Sequence, residues 1–466
     1  MSHLDLEPSE NDFEELLQRY EQSLSKNEST YFDVEELEDI ADYYLQRNRT
    51  KDSSHAVELG LRLHPMSSEL QIKRARVYFA LEDYQKAMNL VRRIESTEKN
   101  DIEVLMLKAA LHIAMGQTKE ATELYGFLTG EYAEDAEDIC MDAAYAFMYN
   151  AKFVEALAFL QKVLAIDSES VDALFEMAFC YEQLLDNDKS TEIYNRILDM
   201  NPYLPEAWFN LGQIYFAKED YEKAVDCYEF ATAIDENDMF AWELKGHAYF
   251  QQDVMDKAIE AYLKYEELTD GSPMSKIYLG ECYERLEDYK IASVYFREAL
   301  FEDEENVDAW MGVAVCQLEL ENYESAIYHI SKAIEIDASQ SELWVYLAEA
   351  YVNLDKPDEA LVAYEYSIDL DPKQPDTLVS IGNLYYDKEN YQQALASYLE
   401  ARELEPETED LSLCLAITYF KLQQYNLSLH FLADVRDDDD SLEYFLEMCP
   451  EAAEIFGGLK GKKRKT

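Results

Sequence analysis

Small and large apolar residues recur along this chain at a fixed spacing. The stretch PEAWFNLGQIYFAKEDYEKAVDCYEFATAIDEND, residues 205–238, sets Trp208, Gly212, Tyr215, Ala224 and Tyr228 at offsets that the next 34 residues repeat with Trp242, Gly246, Tyr249, Ala258 and Tyr262. A period of that length marks one supersecondary unit stacked against copies of itself. Extended both ways, the frame opens repeats at Val34, Ser68, Ile102, Glu137, Val171, Pro205, Met239, Pro273, Val307, Ser341, Pro375 and Glu409, with one extra residue near Ala136. The twelfth unit is irregular and ends near Val435.

Three places carry the packing. The eighth holds only Gly or Ala, from Ala41 and Ala75 to Gly382 and Ala416, and the twentieth holds nine Ala and three Ser (Ser53, Ser190 and Ser428). Closely crossing helices need such small side chains, because a larger one overpacks the crossing by about 1–3 kcal/mol. The twenty-fourth place is always large and apolar, four residues after the small one and therefore on the same helical face. All four tryptophans, Trp208, Trp242, Trp310 and Trp344, occupy the fourth place, where each is expected to fill the gap between neighbouring helices. Pro65, Pro202, Pro372 and Pro406 stand at the thirty-second place and end a helix, whereas Pro205, Pro273 and Pro375 open the next at its first turn. The predicted unit is helix, short turn, helix.

The pattern W-x2-L-G-x2-Y followed by A-x3-Y, complete in Trp208, Leu211, Gly212, Tyr215, Ala224 and Tyr228, resembles the tetratricopeptide repeat, over about 400 of the 466 residues. The resemblance implies an all-α fold, a right-handed superhelical solenoid of antiparallel helix pairs with helical caps, whose first helices line a concave groove. Early and terminal units depart from it: Arg74 and Lys108 replace the Leu of the Leu-Gly pair, and Gln71 and Ser412 take the fourth place. The expected organisation is a leader and N-terminal capping helix over residues 1–33, built on Phe13, Leu16, Leu17, Tyr20 and Leu24. The solenoid follows over residues 34–435, then an acidic turn and C-terminal capping helix over 436–456, with Leu442, Phe445, Leu446, Ile455 and Phe456, and a basic tail over 457–466.

Composition bounds the chemistry. At 48% hydrophobic and 13% aromatic residues the chain has ample material for a core, so its high charge does not make it disordered. Seven cysteines, Cys140, Cys180, Cys227, Cys282, Cys316, Cys414 and Cys449, form no CxxC pair, and Cys180, Cys282 and Cys316 share one offset that reads as a small apolar packing position. The histidines are scattered, with no HExxH spacing, so no metal and no cofactor are expected. Repeats and caps occupy the chain from about residue 10 to residue 456 and leave no catalytic domain, and neither a phosphate loop nor a GxSxG is present. The expectation is a protein that is not an enzyme. With no signal segment and no long apolar run, it is expected in the cytoplasm without membrane insertion. A formal net charge of -58 should repel nucleic acid from the body, the exception being the tail GGLKGKKRKT.

By the same resemblance, the second, fifth, ninth, twelfth and thirteenth places of each repeat face the groove, where members of the family bind segments of other proteins. The second place is acidic in ten of twelve repeats, Asp138, Asp172 and Glu206 among them. Carboxylates in a first helical turn complement the helix dipole by about 0.3–1 kcal/mol each, which alone accounts for them. Along a groove they also form an acidic rail suited to a basic or extended apolar segment. Groove places in repeats four to seven collect Tyr145, Tyr149, Phe175, Phe179, Phe209, Phe216, Phe240 and Phe250, with Gln213 as a candidate backbone hydrogen-bond partner. Rings at fifth and twelfth places are expected to pack partly between helices, and Phe179, at a ninth place, to contact a partner. The fifth place carries no Lys, which argues against the carboxylate clamp by which some family members grip heat-shock chaperones. The expected function is a non-catalytic scaffold or adaptor holding a protein or peptide partner; the alternative is a regulatory or structural subunit that uses the convex face and the ends.

Overall fold

The computed structural model describes residues 10–26, 30–97, 101–406, 409–434 and 439–456. The basic tail and the leader before residue 10 lie outside the described residues, as does Val435. Helix α1 (Glu10–Lys26) precedes twelve helix pairs. The pairs are α2 (Val34–Gln46) with α3 (Thr50–Leu63), α4 (Ser68–Ala80) with α5 (Tyr84–Thr97), α6 (Ile102–Ala114) with α7 (Thr118–Glu131), α8 (Ala136–Tyr149) with α9 (Phe153–Ile166), α10 (Val171–Gln183) with α11 (Asn187–Met200) and α12 (Pro205–Ala217) with α13 (Tyr221–Ile234). They continue as α14 (Met239–Gln251) with α15 (Met255–Leu268), α16 (Pro273–Arg285) with α17 (Tyr289–Glu302), α18 (Val307–Glu319) with α19 (Tyr323–Ile336), α20 (Ser341–Asn353) with α21 (Pro357–Leu370), α22 (Pro375–Asp387) with α23 (Tyr391–Leu404) and α24 (Glu409–Lys421) with α25 (Tyr425–Asp434). No strand occurs among the described residues.

Helix starts follow from capping. The Asp33 carboxylate accepts from the Glu36 amide at 2.9 Å while Glu36 accepts from the Asp33 amide at 3.0 Å, a reciprocal box that satisfies two otherwise orphaned donors of α2. Ser67, Asp101, Ser170 and Asn306 cap α4, α6, α10 and α18 in the same place of the frame. The turn inside every repeat passes through one left-handed residue. Asn48, Glu82, Ala151, Leu185, Glu219, Asp253, Glu287, Glu321, Asp355, Glu389 and Gln423 have φ of 54–63°, and only Gly116, at 74°, is a glycine, free of the Cβ penalty that such a backbone carries.

The chain divides into two compact units, residues 1–214 and 215–466, with the division inside α12. Within each unit the first helix packs on its own second helix, as α2 on α3 and α22 on α23, and the second helix packs on the following first helix, as α3 on α4 and α17 on α18. First helices of successive repeats also touch, α2 on α4 and α4 on α6 in the first unit, α16 on α18 and α18 on α20 in the second. Each unit is thus a solenoid of antiparallel helix pairs, with its core running between pairs. Small residues sit where helices cross: Ser53 and Ser428 at the twentieth place donate to the carbonyls of Ala41 and Ala416 at the eighth, at 2.8 and 2.7 Å.

Two expectations need correction. The C-terminal cap is two helices, α26 (Asp439–Met448) and α27 (Ala452–Ile455), because Pro450 lacks an amide hydrogen and its ring clashes with the carbonyl four residues back. The tryptophans fill the gaps between helices only in part: all four are half-buried, Trp310 and Trp344 packing against the core. Each indole nitrogen donates to the carbonyl six residues earlier, Trp208 to Pro202 at 2.9 Å, Trp242 to Glu236 at 3.0 Å, Trp310 to Glu304 at 2.9 Å and Trp344 to Ala338 at 3.1 Å. The indole's polar edge needs a partner, and the preceding turn supplies one.

Candidate protein-binding face

In the first unit, Tyr145 on α8 and Phe179 on α10 are 44% and 41% exposed although both rings stand on first helices. The Tyr145 hydroxyl hydrogen-bonds the Glu176 carboxylate, which ties α8 to α10. One edge of Phe179 rests on Phe153 at the start of α9, ring centroids 6.2 Å apart. Tyr149, one turn beyond Tyr145, is almost fully exposed. Asp138 and Asp172 lie in the first turns of α8 and α10, and Glu206 in that of α12; all three are exposed, and none forms an ion pair among the described residues. The second-place acid Glu103 differs, since Arg76 of the preceding first helix holds it at 2.7 Å. Burial pushes the Asp142 and Glu176 carboxyls up, Asp138 adding to the first and Asp172 to the second. An apolar contact surface flanked by unpaired carboxylates results.

The other candidates are less open. Phe175 is half-buried, edge-on to Tyr194 at 5.9 Å, and on α12 Phe209 is half-buried while Gln213 is exposed. In the second unit Phe216 is half-buried against Tyr221 at 5.2 Å. The same pair recurs as Phe79–Tyr84, Tyr386–Tyr391 and Phe420–Tyr425, so Phe216 belongs to a closure of the hairpin turn that several repeats share. Phe250 is half-buried, and Phe240 on the same helix is exposed.

A carboxylate cluster in the second unit escaped sequence reasoning, because acids are too frequent in this chain for any to stand out. Burial pushes Glu281 up to about 7, with Glu284 and Asp308 adding repulsion, although its side chain keeps access to solvent. Burial and then Glu319 push Glu284 up to about 6. Glu349 is raised by burial and by the same Glu319. A carboxyl raised on folding contributes stability that is complete below its unfolded value of 4.5 and lost as pH climbs through the folded value near 6 to 7. The lowered carboxyls Asp83, Asp186, Asp220 and Asp337 act below 3.8, outside that window. His247 and His329, held below 6.5 by burial, lose stability as pH falls through that value and offset part of this gain, so unfolding midpoints are expected to rise by no more than a few degrees between pH 8 and pH 5.5. A thermal melt of Glu281→Gln with Glu284→Gln should show a smaller rise; an unchanged rise would assign the effect to net charge alone.

The thiols of Cys180, Cys282 and Cys316 are buried and pushed up to about 12, which makes them inert packing groups. No described helix is long and apolar enough to cross a membrane.

Comparison with known proteins follows the same frame. Family profiles described as tetratricopeptide repeat match residues 205–238, 38–101 and 172–202, and one described as the cilia and flagella-associated protein 70 C-terminal domain matches residues 233–443. No curated protein matches in sequence. Among solved structures, the hetero-tetramer Cut9-Hcn1 of the APC/C is similar at 16% identity and a TM-score of 0.41, over 88% of this chain and 87% of that one. PilF of Pseudomonas aeruginosa is similar at 21% identity and 0.41, over 45% and 96%, and YrrB, a TPR protein with an unusual peptide-binding site, at 18% and 0.34, over 41% and 98%. Twelve helix pairs in one frame, with family profiles matching in both halves, place this chain in the tetratricopeptide repeat family.

Proposed function

We propose that the chain is a non-catalytic scaffold that holds a partner polypeptide along the exposed face of its first helices. The observation that carries this reading is the pair Tyr145 and Phe179, two large rings about 40% exposed on neighbouring first helices. Such rings are anchors of the kind that dominate binding energy at protein interfaces. The unpaired Asp138 and Asp172 beside them favour an extended apolar segment that carries basic residues. Within the same unit Phe175 and Phe209 support the face through packing and Gln213 offers it an exposed amide, while Phe216 and Phe250 are candidate contacts on the first helices of the second unit. Seven free thiols suit a reducing compartment, and a cytoplasmic location is proposed on that ground.

Affinity capture from native lysate tests the reading, with the wild type beside Tyr145→Ser with Phe179→Ser. Loss of at least one partner is expected, with an affinity drop of about tenfold or more from the two lost anchors and an unchanged circular dichroism spectrum. A second reading has its own observation. On second helices of the second unit Phe230, Phe301, Tyr328 and Tyr366 are exposed, Phe301 by 90%, a surface fit for assembly through the opposite face. Retention of every partner by the double variant, with loss on Phe301→Ser, would replace the first reading by the second.

A further inference from the structure

The second repeat carries polar residues at two places of one helical face, Gln71 at the fourth, where four repeats have Trp, and Arg74 at the seventh, where most repeats are apolar. In three other repeats the crevice between the first and second helix is bordered by Trp242, Trp310 or Trp344, and carboxylates line each: Glu236 and Glu260, Glu304 and Glu335, Asp358 and Glu359. The corresponding crevice of the second repeat, about 530 Å³ in volume, contains no carboxylate in its lining and is bordered by Arg74, Lys86 and Arg93, with Gln71, Asn89 and Tyr78 between them.

Neither guanidinium is neutralised among the described residues. Arg74 Nε donates to the Tyr78 hydroxyl at 3.1 Å, and Arg93 Nη2 donates to Gln71 Oε1 at 3.4 Å; both acceptors are uncharged. Lys86 is paired with Asp83 at 2.6 Å and lies 5.7 Å from the centre of the Tyr78 ring. In a chain of net charge -58, carboxylates are available at nearly every surface position, yet these two arginines are held by neutral groups and share one cavity. Converging cations repel one another, and the arrangement becomes favourable once an anion with several acceptor oxygens sits between them.

We propose that this crevice binds a dianionic phosphoryl group, carried on a phosphorylated side chain or present as a small free phosphate. Two guanidinium forks supply donors in several directions, with the Asp83-paired Lys86 ammonium at the border, which suits three phosphoryl oxygens better than the two of a carboxylate. The volume exceeds that of the phosphoryl group and leaves room for whatever carries it, against Tyr78 and the apolar stems. The acidic body repels anions in general, so capture is local to this cavity and weakens as salt screens it.

Isothermal titration of the full chain at low ionic strength tests the site, with N-acetyl-phosphoserine methylamide, its unphosphorylated form and inorganic phosphate as probes. The phosphorylated derivative is expected to bind and the unphosphorylated form not. Arg74→Leu and Arg93→Gln are each expected to weaken binding about tenfold, the scale of one charge-assisted contact. Gln71→Trp with Arg74→Leu introduces the packing residues seen as Trp208 with Leu211 and Trp344 with Leu347; it should keep or raise the unfolding midpoint while abolishing binding. Tighter binding of the phosphoserine derivative than of inorganic phosphate assigns the source to a phosphorylated chain, and equal affinity assigns it to free phosphate; both support the site. No binding of either phosphate probe, or undiminished binding to the Gln71→Trp, Arg74→Leu variant, overturns it. The face containing Tyr145 and Phe179 is untouched by these variants, so this result is independent of the scaffold reading.

Discussion

Phe296→Ala is expected to destabilise the second unit by about 3–5 kcal/mol, the range for removing a buried aromatic ring. Phe296 is 2% exposed and lies between two glycines of successive repeats. A Cβ on Gly280 would come within 2.7 Å of its ring, and one on Gly312 within 2.6 Å. The ring therefore occupies the space that two side chains would otherwise take. On its removal neither neighbour has an atom to move inward, and the helices α16 and α18 are themselves pinned by α17. The cavity should persist, which puts the cost at the upper part of the range. Urea unfolding followed by circular dichroism measures it, with amide exchange across α16 to α19 to locate the loss, because repeats unfold quasi-independently. A cost below about 1 kcal/mol would mean that the helices close over the void.

Gly246→Ala tests the opposite limit, overfilling. The added methyl would lie 2.4 Å from Cε1 of Tyr262. That ring has little freedom to retreat. Its hydroxyl hydrogen-bonds His247 Nδ1 at 2.8 Å, its face stacks on Tyr278 at 5.0 Å, and the Tyr278 hydroxyl donates to Glu243 at 3.0 Å. Overpacking of about 1–3 kcal/mol exceeds the gain of about 1 kcal/mol that Ala brings to a helix interior. A net loss of about 1–2 kcal/mol in urea unfolding is expected, and Tyr262→Leu in the same chain should recover part of it. A stabilised Gly246→Ala protein would show that the ring network is softer than its hydrogen bonds imply.

The first variant reads a large residue held by two absent side chains, the second an absent side chain held by one large residue. Both belong to the pairing of eighth and twenty-fourth places, seen again where a Cβ on Gly382 would meet Tyr398 at 2.4 Å. That pairing was legible as two separate regularities, all small at one place and all large at the other. That a glycine rather than an alanine answers these three rings became clear only from the distances.

Of the candidate site, less could be read. Phe175, Phe179 and Phe216 all stand at groove places in the frame, yet the first leans on Tyr194, the second is open to solvent and the third closes its own hairpin on Tyr221. Register along a helix assigns a direction, while exposure depends on the side chains that neighbouring helices bring, and those differ from repeat to repeat. The raised carboxyls at Glu281 and Glu284 were hidden for a related reason: their character comes from burial, with Asp308 beside the first and Glu319 beside the second, both on another helix, which no local spacing encodes.

The sequence by itself determined the unit, its length and its phase: helix starts at Val34, Ser68, Ile102, Val171 and Pro205 coincide with α2, α4, α6, α10 and α12. Periodic small, large and capping residues act within one hairpin or between adjacent ones, so their energetics are local and show directly in the pattern. Tertiary structure decided the conformation of the turn, where eleven of twelve left-handed residues are not glycine and, Asn48, Asp253 and Asp355 apart, nothing in their type announces a positive φ. Packing of the two helices closes that turn and holds the backbone there. Tertiary structure also decided which charges stand alone, because the isolation of Arg74 and Arg93 depends on where every carboxylate around them ends up.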